Sequence, residues 1–183
     1  MSLSRSLVGR MVRAARLEVN LYEEVEADAT ALPQALLVVI IANLAIGLGS
    51  ALGILITAGA VWFPWAFLWG FGAIVGWFIW SFIVYLIGTR IFRGTQTSAT
   101  YGELLRTLGF SASPGVIGFL CFIPFLGFTI WLAAVGWQLV AMVIAARQAL
   151  DFSTGRAIST CLVGFAGMVV FFWGIRAAVG LLL

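Results

Sequence analysis

The stretch PQALLVVIIANLAIGLGSALGILITA, residues 33–58, runs for 26 residues without one charged side chain. A helix needs about 20 apolar residues to cross the hydrocarbon core of a bilayer, which is roughly 30 Å thick. Pro33 is compatible with a helix start, because a proline in the first turn has no N–H to leave unpaired. The stretch therefore predicts a membrane-spanning helix over residues 33–58.

The composition of the whole chain agrees with this local pattern. Of its 183 residues, 63% are hydrophobic and only 9% are charged, and the mean hydropathy is +1.13. Soluble domains are about a quarter charged, and disordered chains combine low hydrophobicity with high charge. Both of these classes are therefore excluded.

Four further apolar stretches bring the predicted number of spans to five. The fold class that they predict is an all-α integral membrane protein with a bundle of five transmembrane helices. The predicted spans are residues 33–58, 66–88, 101–122, 125–146 and 157–181. We expect residues 33–183 to form this membrane domain and residues 1–32 to form a cytoplasmic segment on the membrane surface.

Residues 3–28 predict one amphipathic helix ahead of the first span. Apolar residues recur there at three- and four-residue steps, which places them on one face. They are Leu3, Leu7, Met11, Ala14, Leu17, Leu21 and Val25. The first half of the segment is basic, which suits an anionic membrane surface. The second half is acidic, so we expect it to lift off the lipid or to pair with arginines elsewhere.

The charged residues are concentrated on one side of the predicted membrane. Nine of the ten arginines and all seven acidic residues lie in the N-terminal segment or near the second and fourth loops. The positive-inside rule makes that side cytoplasmic, so the N-terminus is inside and the C-terminus outside. The chain has arginine but no lysine, which fits a GC-rich bacterial genome. We therefore expect a multi-pass protein of the bacterial cytoplasmic membrane.

The residues that most enzymes use are missing or scattered. The chain has no histidine and no lysine, so imidazole acid–base or metal chemistry and Schiff-base chemistry are excluded. No nucleophile is paired with a base, and no set of metal ligands is apparent. We expect no catalytic residue, cofactor or metal. A net charge of +3 gives no basic stripe of the kind that nucleic-acid binding needs.

Several polar residues are expected at the cytoplasmic ends of the third, fourth and fifth spans. They form a candidate docking or lipid-headgroup cluster: Tyr101, Glu103, Arg106, Arg147, Asp151 and Arg156. Thr100 and Glu103 have the spacing of a capping box, in which each side chain binds the other residue's backbone N–H. The cluster can therefore be interpreted as a docking surface, or as helix caps combined with topology signals.

Two features lie inside the predicted spans. Asn43 and Gln138 can line a substrate path or form hydrogen bonds between helices, and the second interpretation is favoured. Pro114 and Gly115 predict a break in the third span, because proline removes a backbone hydrogen bond. No matching break occurs in another part of the chain, unlike the paired broken helices of many transporters.

The segment from Tyr101 to Gly115, YGELLRTLGFSASPG, resembles the third-span signature of the Yip domain family. The family pattern of Tyr, Leu-Leu, Gly and Pro falls on Tyr101, Leu104, Leu105, Gly109 and Pro114. The hairpin sequence IPFLG at 123–127 and the segment LYEEVEAD at 21–28 also look like this family, the latter like its bacterial members. The family consists of five-span membrane proteins named for interaction with Ypt/Rab GTPases. The resemblance therefore implies a five-span fold and a role in interactions.

These observations favour a non-enzymatic function. The leading hypothesis is a Yip-like interaction or organising protein that contacts the bilayer and a protein partner or a second copy of itself, and no nucleic acid. One alternative is an accessory subunit of a larger respiratory or photosynthetic complex. Another is a small-solute transporter or lipid scramblase.

Overall fold

The computed structural model describes residues 6–58, 63–93 and 99–182, and every regular element in these ranges is helical. Two short helices come first, followed by five longer helical units. The α-helices are α1 (Leu7–Ala15), α2 (Val19–Ala27), α3 (Leu32–Ala58), α4 (Phe63–Leu86), α5 (Tyr101–Ser111), α6 (Gly127–Ala149) and α7 (Thr154–Leu182). A 3₁₀ turn at Ala29–Ala31 precedes α3, a π-helical turn at Ile87–Ile91 ends α4, and a long 3₁₀ helix at Ser113–Phe122 continues α5.

Among the residues that the structure describes, four helical segments are long and apolar enough to cross a membrane. They are Ala29–Thr57, Ile74–Ile91, Tyr101–Phe122 and Gly127–Ala149, and they agree with four of the predicted spans. The chain is therefore a helical membrane protein. The fifth predicted span, 157–181, falls within α7, but side chains from residue 171 onward lie outside the described ones, so that span stays a prediction.

The prediction of one continuous helix over residues 3–28 is wrong. The chain turns between α1 and α2, where Leu17 has a φ of 61°, a left-handed conformation that costs a non-glycine residue roughly 1–2 kcal/mol. A continuous helix would place Arg10 and Glu24 about 21 Å apart along its axis. Their side chains instead lie in contact, so contacts across the turn compensate for its strain.

The N-terminal hairpin, made of α1 and α2, packs on the bundle and shares its core. Ala14, Leu21, Tyr22 and Val25 are fully buried in the same cluster as residues of the longer helices. α2 contacts α5 and α6, and α1 contacts the long 3₁₀ helix. The hairpin is therefore an integral part of the bundle. The second half of α2 lies at the end where α4 and α6 finish and α5 and α7 begin, and we call this end of the bundle the charged end.

The closest helix pair is α3 with the long 3₁₀ helix, and we call this contact the glycine seam. A Cβ at Gly49 would overlap the carbonyl oxygens of Gly118 and Phe119, and one at Gly118 would overlap the Ile46 side chain. One at Gly109, in α5, would lie 2.7 Å from Ala35 Cβ. Small residues allow such close approach in lipid, where van der Waals packing replaces the hydrophobic effect as the driving force.

The long 3₁₀ helix follows from a three-residue repeat of small residues. Gly115, Gly118 and Cys121 are buried, whereas the residues at 116, 117, 119 and 120 are exposed. A 3₁₀ helix has three residues per turn, so residues i and i+3 lie in one row. This conformation therefore turns all three small residues toward the neighbouring helices at once.

The α-helix of the third span ends at Ser111, three residues before Pro114. The Ser113 hydroxyl donates to the Phe110 carbonyl oxygen at 2.6 Å, and Gln138 Nε2 in α6 donates to the Ala112 carbonyl oxygen at 3.1 Å. Pro114 has no N–H to donate to the Phe110 carbonyl, and such carbonyls are commonly bound by side chains within membranes. The Ala112 carbonyl also accepts from the Gly115 N–H at 2.9 Å.

Candidate functional site

The N-terminal hairpin is held closed by ion pairs between its two helices. Arg10 Nη2 lies 3.0 Å from Glu24 Oε1 and 2.7 Å from Asp28 Oδ2. Arg13 lies 3.0 Å from Glu18 Oε2 and 2.6 Å from Glu24 Oε2. The acidic half of the segment therefore pairs with the basic half of the same segment, whereas the sequence predicted pairing with arginines elsewhere or lifting off the lipid.

Hydrogen bonding keeps the hairpin carboxylates charged. A hydrogen bond from Thr30, together with one from Arg10, lowers the pKa of Asp28 to about 2. Burial by itself would raise the pKa of Glu24, but hydrogen bonds from Arg13 and Arg10 outweigh it and lower that pKa. Arg10 is only 2% exposed, so its charge needs these partners.

Three polar contacts tie the hairpin to α3 and α6, one to α3 and two to α6. They join Arg10 Nη1 to Gln34 Oε1 at 3.0 Å, Trp137 Nε1 to the Ala15 carbonyl oxygen at 2.9 Å, and Gln148 Nε2 to Glu23 Oε1 at 2.9 Å. Trp137 lies far from either end of α6, and this hydrogen bond gives its indole N–H an acceptor there. The hairpin is therefore fixed by directed bonds as well as by its buried residues.

Arg106 of the predicted cluster lies inside the protein. It is 9% exposed; its Nε donates to the Val25 carbonyl oxygen at 2.9 Å, and its Nη2 donates to the Glu26 carbonyl oxygen. These carbonyls belong to the last turn of α2, where no N–H of the same helix is available. A positive charge there is also favoured by the helix dipole. Arg106 therefore caps α2.

Glu103 caps its own helix, as the sequence predicts. The Thr100 hydroxyl accepts from the Glu103 N–H at 3.3 Å, and Glu103 Oε2 accepts from the Thr100 N–H at 2.7 Å. The capping box is therefore confirmed. Tyr101 is also engaged locally, because its hydroxyl donates to the Phe78 carbonyl oxygen at 3.3 Å and its ring packs edge-on against Phe82.

The other members of the cluster lie at the surface around the α6–α7 turn. Arg147 donates to the side chains of Gln148, at 3.1 Å, and Thr154, at 3.4 Å. Asp151 is exposed with a φ of 51°, and Arg156 is exposed with no partner among the described residues. The cluster thus separates into buried or capping residues and an outward group, Arg147, Asp151 and Arg156.

Glu26 is a charged-end residue that sequence reasoning missed. Its pKa is raised to about 7, first by burial and then by repulsion from Asp151 and Glu103, and the Arg106 charge offsets this only in part. The sequence signal, four acids within residues 23–28, was visible. Which of those acids faces Asp151 and Glu103 depends on the fold.

The two intramembrane amides lie at one cavity. Asn43 of α3 and Gln138 of α6 line a cavity of about 470 Å³, together with Trp77 and Trp80 of α4. Asn43 Nδ2 donates to the Val39 carbonyl oxygen at 2.9 Å, in its own helix. Sequence reasoning located both amides in spans but did not bring them together. The signal for the missed tryptophans was their mid-span position, since membrane tryptophans concentrate at the interfaces.

Neither place has the geometry of a metal site. Within the described ranges, no three His, Cys, Asp or Glu side chains lie together in a group that could hold a metal ion. The charged end offers ionic and hydrogen-bonding contacts. The cavity offers apolar surface with amide and indole groups.

Comparison with known proteins gives one positive result. No curated protein and no solved structure matches the chain. The Yip1 domain profile matches residues 21–175, which run from α2 through most of α7 and leave α1 outside the match. Because the match covers most of the sequence, the chain belongs to the Yip1 domain family.

Proposed function

We propose that the protein is a non-enzymatic organising protein of the bacterial cytoplasmic membrane, and that it binds a partner through the charged end of its bundle. The observation that carries this proposal is the separation of the predicted cluster. Arg106 and Glu103 are used within the fold, whereas Asp151 and Arg156 remain exposed on the α6–α7 turn. Exposed charged side chains that form no ion pair within the described part of the protein, such as Asp151 and Arg156, are suited to binding a partner of complementary charge.

The proposed orientation places the charged end in the cytoplasm. Arginines at the ends of α4 and α6 and at the start of α7 lie at this end: Arg90, Arg147 and Arg156. They support the orientation expected from the positive-inside rule. A membrane-impermeant maleimide tests it through the variants Ser153→Cys and Phe125→Cys, since both native cysteines are buried. Labelling of Phe125→Cys alone in intact cells is expected, and the reverse pattern would require the opposite orientation.

The cavity gives only partial support to the alternative that the protein is a small-solute transporter or lipid scramblase. Its described lining contains no acidic or basic side chain, and proton or ion pathways through membranes are usually marked by such residues. The cavity is thus poorly suited to carrying ions or charged solutes. No observation favours the accessory-subunit hypothesis over the organising role.

The docking proposal can be tested by photocrosslinking in native membranes. A benzophenone amino acid replaces Ser153, an exposed residue of the α6–α7 turn, in one variant and Phe125, which is 104% exposed at the opposite end, in the control. We expect a discrete adduct from position 153 that disappears when Asp151→Arg is added, and none from position 125. Equal labelling from both positions, or no adduct at 153, would exclude docking at the charged end.

A further inference from the structure

The cavity opens sideways, toward the lipid. Its lining includes Leu139 of α6 and Leu162 and Phe165 of α7, and all three side chains are among the exposed large hydrophobic residues. Apolar side chains exposed on membrane-spanning helices face acyl chains, because the bilayer interior holds almost no water. A ligand can therefore enter from the bilayer between α6 and α7.

One residue of the cavity lining, Trp77, has a buried indole N–H without an acceptor in the described part of the chain. Trp77 is 7% exposed, and its indole Nε1 has no hydrogen-bond partner among the described residues. Buried N–H groups are nearly always paired, because leaving one unpaired is costly. An acceptor oxygen on a bound molecule would satisfy it.

The two amides add further capacity for hydrogen bonding. Only one bond from each amide nitrogen is accounted for, to the Val39 carbonyl by Asn43 and to the Ala112 carbonyl by Gln138. Each amide also has an oxygen that can accept two hydrogen bonds. The site can thus donate to a carbonyl oxygen and accept from a hydroxyl group.

The charge and the size of the cavity narrow the ligand class. None of its described lining residues is ionisable as an acid or a base apart from the Cys161 thiol, so a phosphate or carboxylate group would be buried without a counter-ion. The volume of about 470 Å³ is within the range of ligand-binding cavities, and it can hold the polar part of a lipid whose acyl chains extend through the opening into the bilayer. The ligand must therefore be neutral and largely apolar, with at least one acceptor oxygen.

We propose that this cavity binds a neutral glycerolipid of the diacylglycerol type, which enters between α6 and α7 and hydrogen-bonds to Trp77, Asn43 and Gln138. Its ester carbonyl oxygens match the indole donor, and its free hydroxyl matches the amide oxygens. This site is separate from the proposed docking surface, so either can fail without the other.

The test uses the full chain in phosphatidylcholine nanodiscs that contain a photoreactive diacylglycerol. We expect saturable labelling of the α7 peptide between Arg156 and Arg176, and competition by dioleoylglycerol but not by dioleoyl phosphatidic acid. Labelling that does not saturate, or equal competition by the anionic lipid, would overturn the proposal.

Two matched tryptophan variants test the hydrogen bond. Trp77→Phe removes the N–H and keeps an aromatic ring, whereas Trp137→Phe removes an N–H that is bonded to Ala15, away from the cavity. We expect the apparent Kd to rise about fivefold in Trp77→Phe and to stay unchanged in Trp137→Phe. Equal Kd values for these two variants would refute the proposed role of Trp77.

A third variant guards against misfolding of Trp77→Phe. Leu162 is 64% exposed, so Leu162→Trp is expected to keep the fold while it narrows the entrance. Reduced labelling in this variant, with an unchanged melting temperature, supports entry between α6 and α7. Unchanged labelling contradicts it.

Discussion

The N-terminal hairpin and the glycine seam are both close helix contacts, but they are stabilised by opposite means. The hairpin joins α1 to α2 by ion pairs, with Arg10 and Arg13 contacting Glu24. The seam joins α3 to the long 3₁₀ helix through glycines such as Gly49 and Gly118, whose missing side chains let the backbones meet. One contact depends on side chains that are present, and the other on side chains that are absent.

This difference follows from the surroundings of each contact. Inside a bilayer, association of helices relies on van der Waals packing, so interfaces favour small residues. In the hairpin, the carboxylates of Glu24 and Asp28 remain partly exposed while they pair with arginine, so they can be partly solvated. Substitutions should therefore harm the seam by adding atoms and harm the hairpin by removing bonds.

The largest effect is expected from adding one methyl group to the seam. Alanine normally stabilises a helix by about 1 kcal/mol relative to glycine, and Gly136→Ala in α6 should show this gain because its Cβ would meet open space. Gly49→Ala should instead lose about 3 kcal/mol or more, because its Cβ would overlap backbone carbonyl oxygens that cannot rotate away. Thermal unfolding in detergent measures both variants, and a stabilised Gly49→Ala would show that the seam is not close-packed.

The second-largest loss of stability is expected from replacing the Arg106 side chain, which joins α5 to the C-terminal end of α2. Arg106→Gln withdraws charged donors from the Val25 and Glu26 carbonyls, which should cost about 2 kcal/mol. The hairpin should then open more often, so tryptic cleavage after Arg16 should speed up roughly tenfold or more. Arg156→Gln, at an exposed position without a described partner, is the control. Equal cleavage rates would mean that Arg106 does not hold the hairpin.

Sequence signals predicted those structural features that depend on residues close together in the chain. The uninterrupted apolar run predicts a span at 33–58, and α3 occupies Leu32–Ala58. Thr100 and Glu103 are three residues apart, and they form the predicted capping box. In both cases the signal is contained in one continuous stretch of sequence.

The parts that were missed depend on contacts between distant residues. The apolar spacing of residues 3–28 suits one helix, whereas ion pairing across the turn and packing on the bundle favour the strained Leu17. The three-residue spacing of Gly115, Gly118 and Cys121 favours a 3₁₀ helix only because α3 packs against this row of small residues. The convergence of Asn43, Gln138 and Trp77 at one cavity likewise requires helices far apart in the sequence.

The smallest expected change in stability depends on pH, and here Glu26 behaves oppositely to Glu24 and Asp28 of the same hairpin. The pKa of Glu26 is about 7 in the folded protein and about 4.3 in an unfolded chain. The folded state therefore binds more protons between these values, and stability falls as pH rises from about 4.3 to 7. Asp28 and Glu24 have lowered pKa values, so their contribution is lost only in stronger acid, as pH falls below about 4.

Replacing Glu26 should consequently stabilise the protein only where the carboxyl would be ionised. Glu26→Gln should raise the unfolding free energy by about 1 kcal/mol at pH 8, since partial exposure screens the effect, and by almost nothing at pH 5. Asp151→Asn should give a smaller gain of the same sign, because Asp151 is the first of the charges that repel Glu26, and asparagine tolerates the positive φ at that position. Melting temperatures at pH 5 and pH 8 provide the measurement. An equal shift at both values would mean that Glu26 is not the titrating group, and the charged end would then be held by pH-independent packing, as the glycine seam is.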